Sequence, residues 1–347
     1  MIRVLIVDDS ALVRNVLSEE LGRFADIEVV GTASDPFVAR DRILELEPDV
    51  LTLDVEMPRM DGLSFLERLM RYRPMPVIIV SSLTPEHSEA ALRALELGAI
   101  EVVSKPGSAY SVPEVGQRLV HAIRAAAAAR MQCVGVHAAP PAPLAPSAAA
   151  LTRLKTTNRI LAIGASTGGT KAIEAVLQAL PPTTPGTVIV QHMPAGFTRS
   201  FAQRLDSLCG MEVREAEDGD LVTSGLALIA PGNLHMIVQR SGAQILVRLK
   251  DGPKVHHQRP AVDILFQSVA RSTGRNAVGV ILTGMGADGA KGMRAMFDAG
   301  AHTIGQDEAT CVVYGMPREA VAMGGVREVK PLDRIAHSAL TALLAEG

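Results

Sequence analysis

Tryptophan is absent from this 347-residue chain, and aromatic residues make up only 3% of it. Base-stacking surfaces need exposed rings, so a nucleic-acid platform is disfavoured from the outset. Charge argues the same way: 34 basic against 37 acidic side chains leave a net −3, with no basic field to follow a phosphate backbone. The three cysteines, Cys133, Cys209 and Cys311, lie far apart, with no CxxC pair and no histidine at ligand spacing. They fit neither a disulfide scaffold nor a zinc knot, and they suit a reducing compartment. No apolar run approaches the roughly 18 residues of a membrane span. The opening MIRVLIVDDS meets two acids after a short apolar run, unlike a signal peptide. The expectation is a soluble cytoplasmic protein with no membrane insertion and no nucleic-acid partner.

What the chain does have is core material: 48% apolar and 20% charged residues, over a length that suggests two domains. Composition changes in the middle, where HAIRAAAAARMQCVGVHAAPPAPLAPSAAA is rich in Ala and Pro. The Ala run extends a helix, whereas PPAPLAP cannot continue one. A helix running into a semi-rigid tether is expected, with domains at 1–120 and 157–345 and a linker at 121–156. Before it, RVLIVDD, EVVGTA, VLTLDVEMP, VIIVSS and AIEVVSKP read as five buried strands alternating with amphipathic helices. After it, RILAIGAST, TVIVQHM, LALIAPG and AVGVILTGMGADG resume the pattern, and QILVRLK reads as an antiparallel insertion. Both halves are therefore α/β, built on parallel sheets with right-handed crossovers.

Ligands of such sheets bind at the carboxyl ends of the strands. In the first half those ends carry Asp8 and Asp9, Asp54, Ser81 with Ser82, and Lys105. Three carboxylates repel unless a cation neutralises them, and hard oxygens suit Mg²⁺. A metal would hold a phosphoryl group on Asp54, with Lys105 as second cation and Ser81 as hydrogen-bond donor. The pieces VDDS, LDVEMPRMDG, VSS and SKPG resemble a response-regulator receiver domain, over residues 1 to about 120. The resemblance implies a five-stranded flavodoxin-like fold with Asp54 as phospho-acceptor and a histidine kinase as phosphodonor. It also implies Asp9, Asp54 and the Glu56 carbonyl as metal ligands, with Asp8 acting through water. Many receivers carry an aromatic switch residue three positions before the Lys, and here that place holds Val102.

The second half opens with a strand, a Gly-rich turn and a helix. The spacing Gly164-x-x-x-Gly168-Gly169 does not match the dinucleotide pattern GxGxxG, and the next strand ends in Gln191-His192 rather than a ribose-binding acid. Gly164-Ala165-Ser166-Thr167-Gly168 does fit the nucleophile elbow GxSxG. His192 ends the next strand as candidate base, and Asp288 follows a later strand as candidate orienting acid. His256 and His257, in the basic loop DGPKVHHQRP, are left open between substrate contact and structure. The order Ser, His, Asp differs from the α/β-hydrolase, chymotrypsin and subtilisin orders. A non-catalytic adaptor stays open if the three residues fail to converge.

Residues 157–345 resemble the catalytic domain of the chemotaxis protein-glutamate methylesterase. The motifs are IGASTGGTKAI, VIVQHMP, APGNLHM, RPAVDILF, VILTGMGADGAKG and QDEATCVVYGMPREA. The resemblance implies a mostly parallel doubly wound domain that demethylates glutamate methyl esters on methyl-accepting chemoreceptors, releasing methanol, without a cofactor for the ester chemistry. Deamidation of receptor glutamines is a plausible second activity. Ser166, His192 and Asp288 would form the triad, with the backbone amides of Thr167 and Met285 as oxyanion donors. The unphosphorylated receiver is expected to restrain the esterase, and phosphorylation at Asp54 to release it.

Overall fold

The computed structural model describes residues 1–57, 61–82, 84–106, 111–129 and 159–345. They form two compact units with separate cores, divided within the stretch 130–158. Residues 130–156 of the expected linker lie outside the described residues.

The first unit runs β1 (Ile2–Val7), α1 (Ala11–Leu21), β2 (Ile27–Ala33), α2 (Pro36–Leu46), β3 (Val50–Leu53), α3 (Gly62–Tyr72), β4 (Val77–Ser81), α4 (Pro85–Glu96), β5 (Glu101–Ser104) and α5 (Val112–Ala128). Its five strands are all parallel, in the order β2-β1-β3-β4-β5. That is the flavodoxin-like winding, with its switch point between β1 and β3. Strand alternation decides the layers. Val4 and Ile6 of β1 join Ile78 and Val80 of β4, Leu17 and Leu21 of α1, and Leu119 and Ile123 of α5 in one core. The intervening Leu5 and Ile79 are equally buried and belong to the opposite face. The Ala run is packed helix as far as Ala128, with Ala125 and Ala126 fully buried.

The second unit contains β6 (Ile160–Ala165), α6 (Gly169–Ala179), β7 (Thr187–Gln191), α7 (Phe197–Leu208), β8 (Glu212–Glu215), β9 (Leu226–Ile229), β10 (His235–Ser241) and β11 (Gln244–Lys250). It continues with α8 (Val262–Thr273), β12 (Ala277–Ile281), α9 (Ala290–Asp298), β13 (His302–Gln306), α10 (Met316–Ala322), β14 (Glu328–Lys330) and α11 (Leu332–Leu344). Seven strands pair in the order β14-β13-β12-β6-β7-β9-β8, every pair parallel. The sequence QILVRLK is β11, antiparallel to β10 in a separate two-stranded sheet. Val262, Phe266 and Val269 of α8, Met293 and Met296 of α9, and Met236 and Val247 of the hairpin share a core with Ala162 and Val190 of the sheet. The alternate residues Leu161 and Ile163 are also fully buried, as are Ile173 of α6, Phe197 of α7 and Ile335 of α11, which cover the other face. The central strand β6 has β12 on one side and β7 on the other, so three strand ends lie next to one another. No helix of the described residues is long and apolar enough to cross a membrane.

Candidate active site

Ser166 follows the last residue of β6 and is 2% exposed. The turn that carries it is closed by hydrogen bonds from both sides. Its own N–H donates to the Thr283 carbonyl at 3.0 Å, and its carbonyl accepts the Gly169 N–H at 2.7 Å. Gly168 lies at φ +78°, and a Cβ there would stand 2.6 Å from the Val312 side chain. Only glycine fits both the left-handed backbone and that approach. His192 follows β7, next to β6, and its N–H donates to the Ala165 carbonyl at 3.1 Å. Asp288 lies between β12 and α9, on the opposite side of β6. The three sequence-expected residues thus stand at the carboxyl ends of three adjacent strands.

His192 Nε2 lies 2.8 Å from Asp288 Oδ2, both side chains nearly fully buried. The same carboxylate accepts the Val262 N–H at 2.7 Å on Oδ2 and the Asp263 N–H at 2.9 Å on Oδ1. Burial pushes the Asp288 carboxyl up. The His192 bond and charge, with the two amides, outweigh burial and hold it below the ordinary carboxylate range. An ionised carboxylate only accepts, so in the neutral form of the ring the proton sits on Nε2 and the lone pair on Nδ1. In the chymotrypsin arrangement the acid binds Nδ1, whereas here Asp288 binds Nε2. Nδ1 of His192 and Oγ of Ser166 are both buried without a hydrogen-bond partner. Two unsatisfied groups, one basic and one nucleophilic, call for a functional reason. They do not bond each other in this structure.

Thr167 and Met285 lie on two turns joined through Thr283. The Thr283 hydroxyl donates to the Thr167 carbonyl at 3.0 Å, and the neighbouring Gly284 N–H donates to Val313. Three supports went unassigned at the level of sequence. Gln191 Nε2 donates to the carbonyls of both Ser166, at 2.9 Å, and His192, at 3.3 Å. Gln306 Oε1 accepts the Thr283 N–H at 2.8 Å. Asp263 is the third, with a side chain in contact with His256. The available signal was a polar residue inside an otherwise apolar strand, as in TVIVQ.

In the first unit Asp8, Asp54 and Lys105 converge at the carboxyl edge. Lys105 Nζ lies 2.6 Å from Asp54 Oδ2 and 2.9 Å from Asp8 Oδ2. Carboxylate oxygens of Asp8, Asp9 and Asp54 come within 4.8 Å of one another. Burial, reinforced by Asp8, raises the Asp54 carboxyl above its ordinary range despite Lys105. Burial would lower the Lys105 ammonium, and the two carboxylates more than reverse that. Three acids facing one ammonium, all with hard oxygen donors, fit a divalent cation. The Glu56 N–H donates to Asp54 Oδ1 at 3.2 Å, which puts its backbone beside the acceptor. Ser81 closes β4, 2% exposed, and its carbonyl accepts the Lys105 N–H at 2.9 Å. Val102 is buried, with no aromatic ring at that place.

Comparison with known proteins gives a consistent picture. Residues 161–339 match the family CheB methylesterase, and residues 4–114 match the response regulator receiver domain. A protein-glutamate methylesterase/protein-glutamine glutaminase of Anaeromyxobacter dehalogenans is 59% identical over 342 residues, 98% of this chain and 94% of the relative. One from Salmonella typhi is 56% identical over 346 residues, 99% of this chain and 97% of the relative. The crystal structure of the Thermotoga maritima CheB methylesterase catalytic domain is 38% identical, with a TM-score of 0.52, over 54% of this chain and 99% of that domain.

Proposed function

The chain belongs to the CheB methylesterase family, and from that premise we propose that it hydrolyses glutamate methyl esters on the cytoplasmic domains of methyl-accepting chemoreceptors, under control of phosphorylation at Asp54. The observation that carries this reading is the pair of unsatisfied buried atoms, Ser166 Oγ and His192 Nδ1, beside an imidazole whose other nitrogen is held by Asp288. His192 Nδ1 takes the Ser166 proton as Oγ attacks the ester carbonyl, and Asp288 stabilises the imidazolium. The amides of Thr167 and Met285 donate to the developing oxyanion, an interaction worth roughly 10²–10³ in rate per donor. His192 returns the proton to the departing methanol, and water then frees the acyl-enzyme as glutamate. The same attack on a glutamine amide would release ammonia, in keeping with the glutaminase in the relatives' names.

In the receiver unit Asp8, Asp9 and Asp54, with the Glu56 carbonyl, would hold Mg²⁺, which when bound neutralises charge around the phosphoryl group. Asp54 accepts that group from a chemotaxis-type histidine kinase, and Lys105 and Ser81 then contact its oxygens. The test is methanol release from methylated receptor membranes, with and without a small-molecule phosphodonor. Release should vanish in Ser166→Ala, and in Asp54→Ala it should persist but lose its rise with phosphodonor. Stimulation that survives Asp54→Ala would remove the regulatory account. Release that survives Ser166→Ala would remove the nucleophile.

A further inference from the structure

Asp263 and Asp288 exchange places at two helix ends. Asp288 precedes α9, yet accepts the first two amides of α8, those of Val262 and Asp263. Asp263 lies in the first turn of α8, yet accepts the Gly292 N–H, in the first turn of α9, at 2.7 Å. Each carboxylate satisfies donors that the other's helix leaves open. The exchange sets two buried acids side by side, both 2% exposed, and like charges so placed cannot both ionise cheaply. Burial, with the Asp288 charge, raises the Asp263 carboxyl, while the Gly292 amide and His256 oppose the rise.

Among the described residues His256 is the imidazole that meets Asp263: its Nε2 lies 3.3 Å from Asp263 Oδ2. The turn that presents it is closed by Val255 and Gln258, which exchange hydrogen bonds at 3.0 and 2.9 Å. Both central residues, His256 at φ +50° and His257 at φ +63°, are left-handed. Turns of this hand favour Asn-Gly, and a strained His-His persists only where its surroundings hold it. Arg259 anchors the turn's base, donating to Asn233 Oδ1 at 2.7 Å and the Gly252 carbonyl at 2.6 Å. His256, Asp263 and Asp288 offer ligand atoms within 4.8 Å. Both Asp288 oxygens already accept protein donors, so the group is a hydrogen-bonded chain and not an open metal cage.

We propose that His256 is a positioning residue for the esterase: by partnering Asp263 it offsets the charge beside Asp288 and keeps Asp288 in place against His192. Without it the Asp263 charge stands without a cation beside Asp288, and that repulsion disturbs the hold of Asp288 on Nε2 and on the orientation of the ring. This inference rests on the serine-hydrolase reading above. Its test measures methanol release from methylated receptors beside the rate at which a fluorophosphonate labels Ser166. His256→Ala should lower kcat and labelling about tenfold or more, with KM within about twofold. Asp263→Asn keeps an acceptor for Gly292 without the charge, so the double variant should recover to within about threefold of the parent. A slow double variant would mean that the turn, not the charge, matters, and would overturn the proposal. So would a His256→Ala protein that works like the parent. A parent that is labelled at Ser166 but releases no methanol would remove the substrate reading and leave this test intact in the labelling arm. A parent not labelled at Ser166 would overturn both.

Discussion

Gln191 is a polar side chain at the end of the strand TVIVQ, and it is 4% exposed. The Nε2 end of this buried amide is satisfied, spanning the carbonyls of Ser166 and His192, while its Oε1 has no partner. It therefore ties the backbone of the nucleophile to that of the base. Gln191→Leu keeps the volume and leaves both carbonyls without that donor, a stability cost of about 1–3 kcal/mol. Its larger effect should be on kcat, with KM little changed, because the Ser166–His192 separation is what the amide sets. Steady-state kinetics and a thermal melt on one sample separate the two effects, and a kcat that does not fall would remove the clamp. Asp288 makes a second prediction at this scale. Its folded-state carboxyl lies below the ordinary value, so the stability it contributes is present above that value and lost as pH falls through the folded one. Asp288→Asn should thus melt lower than the parent at neutral pH, and the gap should close in acid. Turnover should drop on the order of 10⁴-fold, as when a triad acid can no longer hold its histidine's tautomer.

The same economy governs the elements, where close approach of backbone sets the site. Gly164 lies in β6 directly beneath α8: a Cβ on it would stand 2.2 Å from Val262 Cγ1 and 3.1 Å from Phe266 Cζ. Val262 is the residue whose amide holds Asp288 at 2.7 Å. Gly164→Ala should therefore push the first turn of α8 away, costing about 1–3 kcal/mol of stability by overpacking. Activity should suffer more than that loss explains, which a comparison of melting temperature with kcat would reveal. The elements most legible in the sequence were those whose burial is continuous. β1, β4, β6, β7 and β12 are apolar runs buried on both faces; the end residues Asp8, Ser81, Ser166 and His192 follow by counting, and Asp288 lies in the loop after β12. β13 was not assigned, although it lies inside the sheet, because Thr303 and Gln306 interrupt its apolar pattern while fully buried. Their polar atoms are satisfied through Arg327 and Thr283, partners that no periodicity announces. β8 and β14 are short, charged edge strands with the same difficulty. His256 stayed undecided for a related reason. Its meaning depends on two helix ends meeting, and α8 and α9 lie on opposite sides of β12 in the chain order.

At the scale of the whole molecule, the two units keep separate hydrophobic cores, and each carries one complete set of chemical groups. The acids and Lys105 belong to residues 1–129, and Ser166, His192 and Asp288 to residues 159–345. Because the groups named for each site come from one unit, each should function when expressed alone. The second piece should release methanol at a rate indifferent to phosphodonor, since it no longer carries Asp54. The first should bind Mg²⁺ in isolation, and binding to the folded state alone raises stability by RT ln(1 + [L]/Kd), about 2.7 kcal/mol at a hundredfold excess over Kd. For a unit of this size that is a melting shift on the order of 10 °C. Asp9→Asn should remove most of the shift, because it takes one of three carboxylates from the cluster and leaves the Lys105–Asp54 pair in place. A shift that survives Asp9→Asn would mean that the cation sits elsewhere. A second piece that still answered to phosphodonor would mean that control does not pass through Asp54.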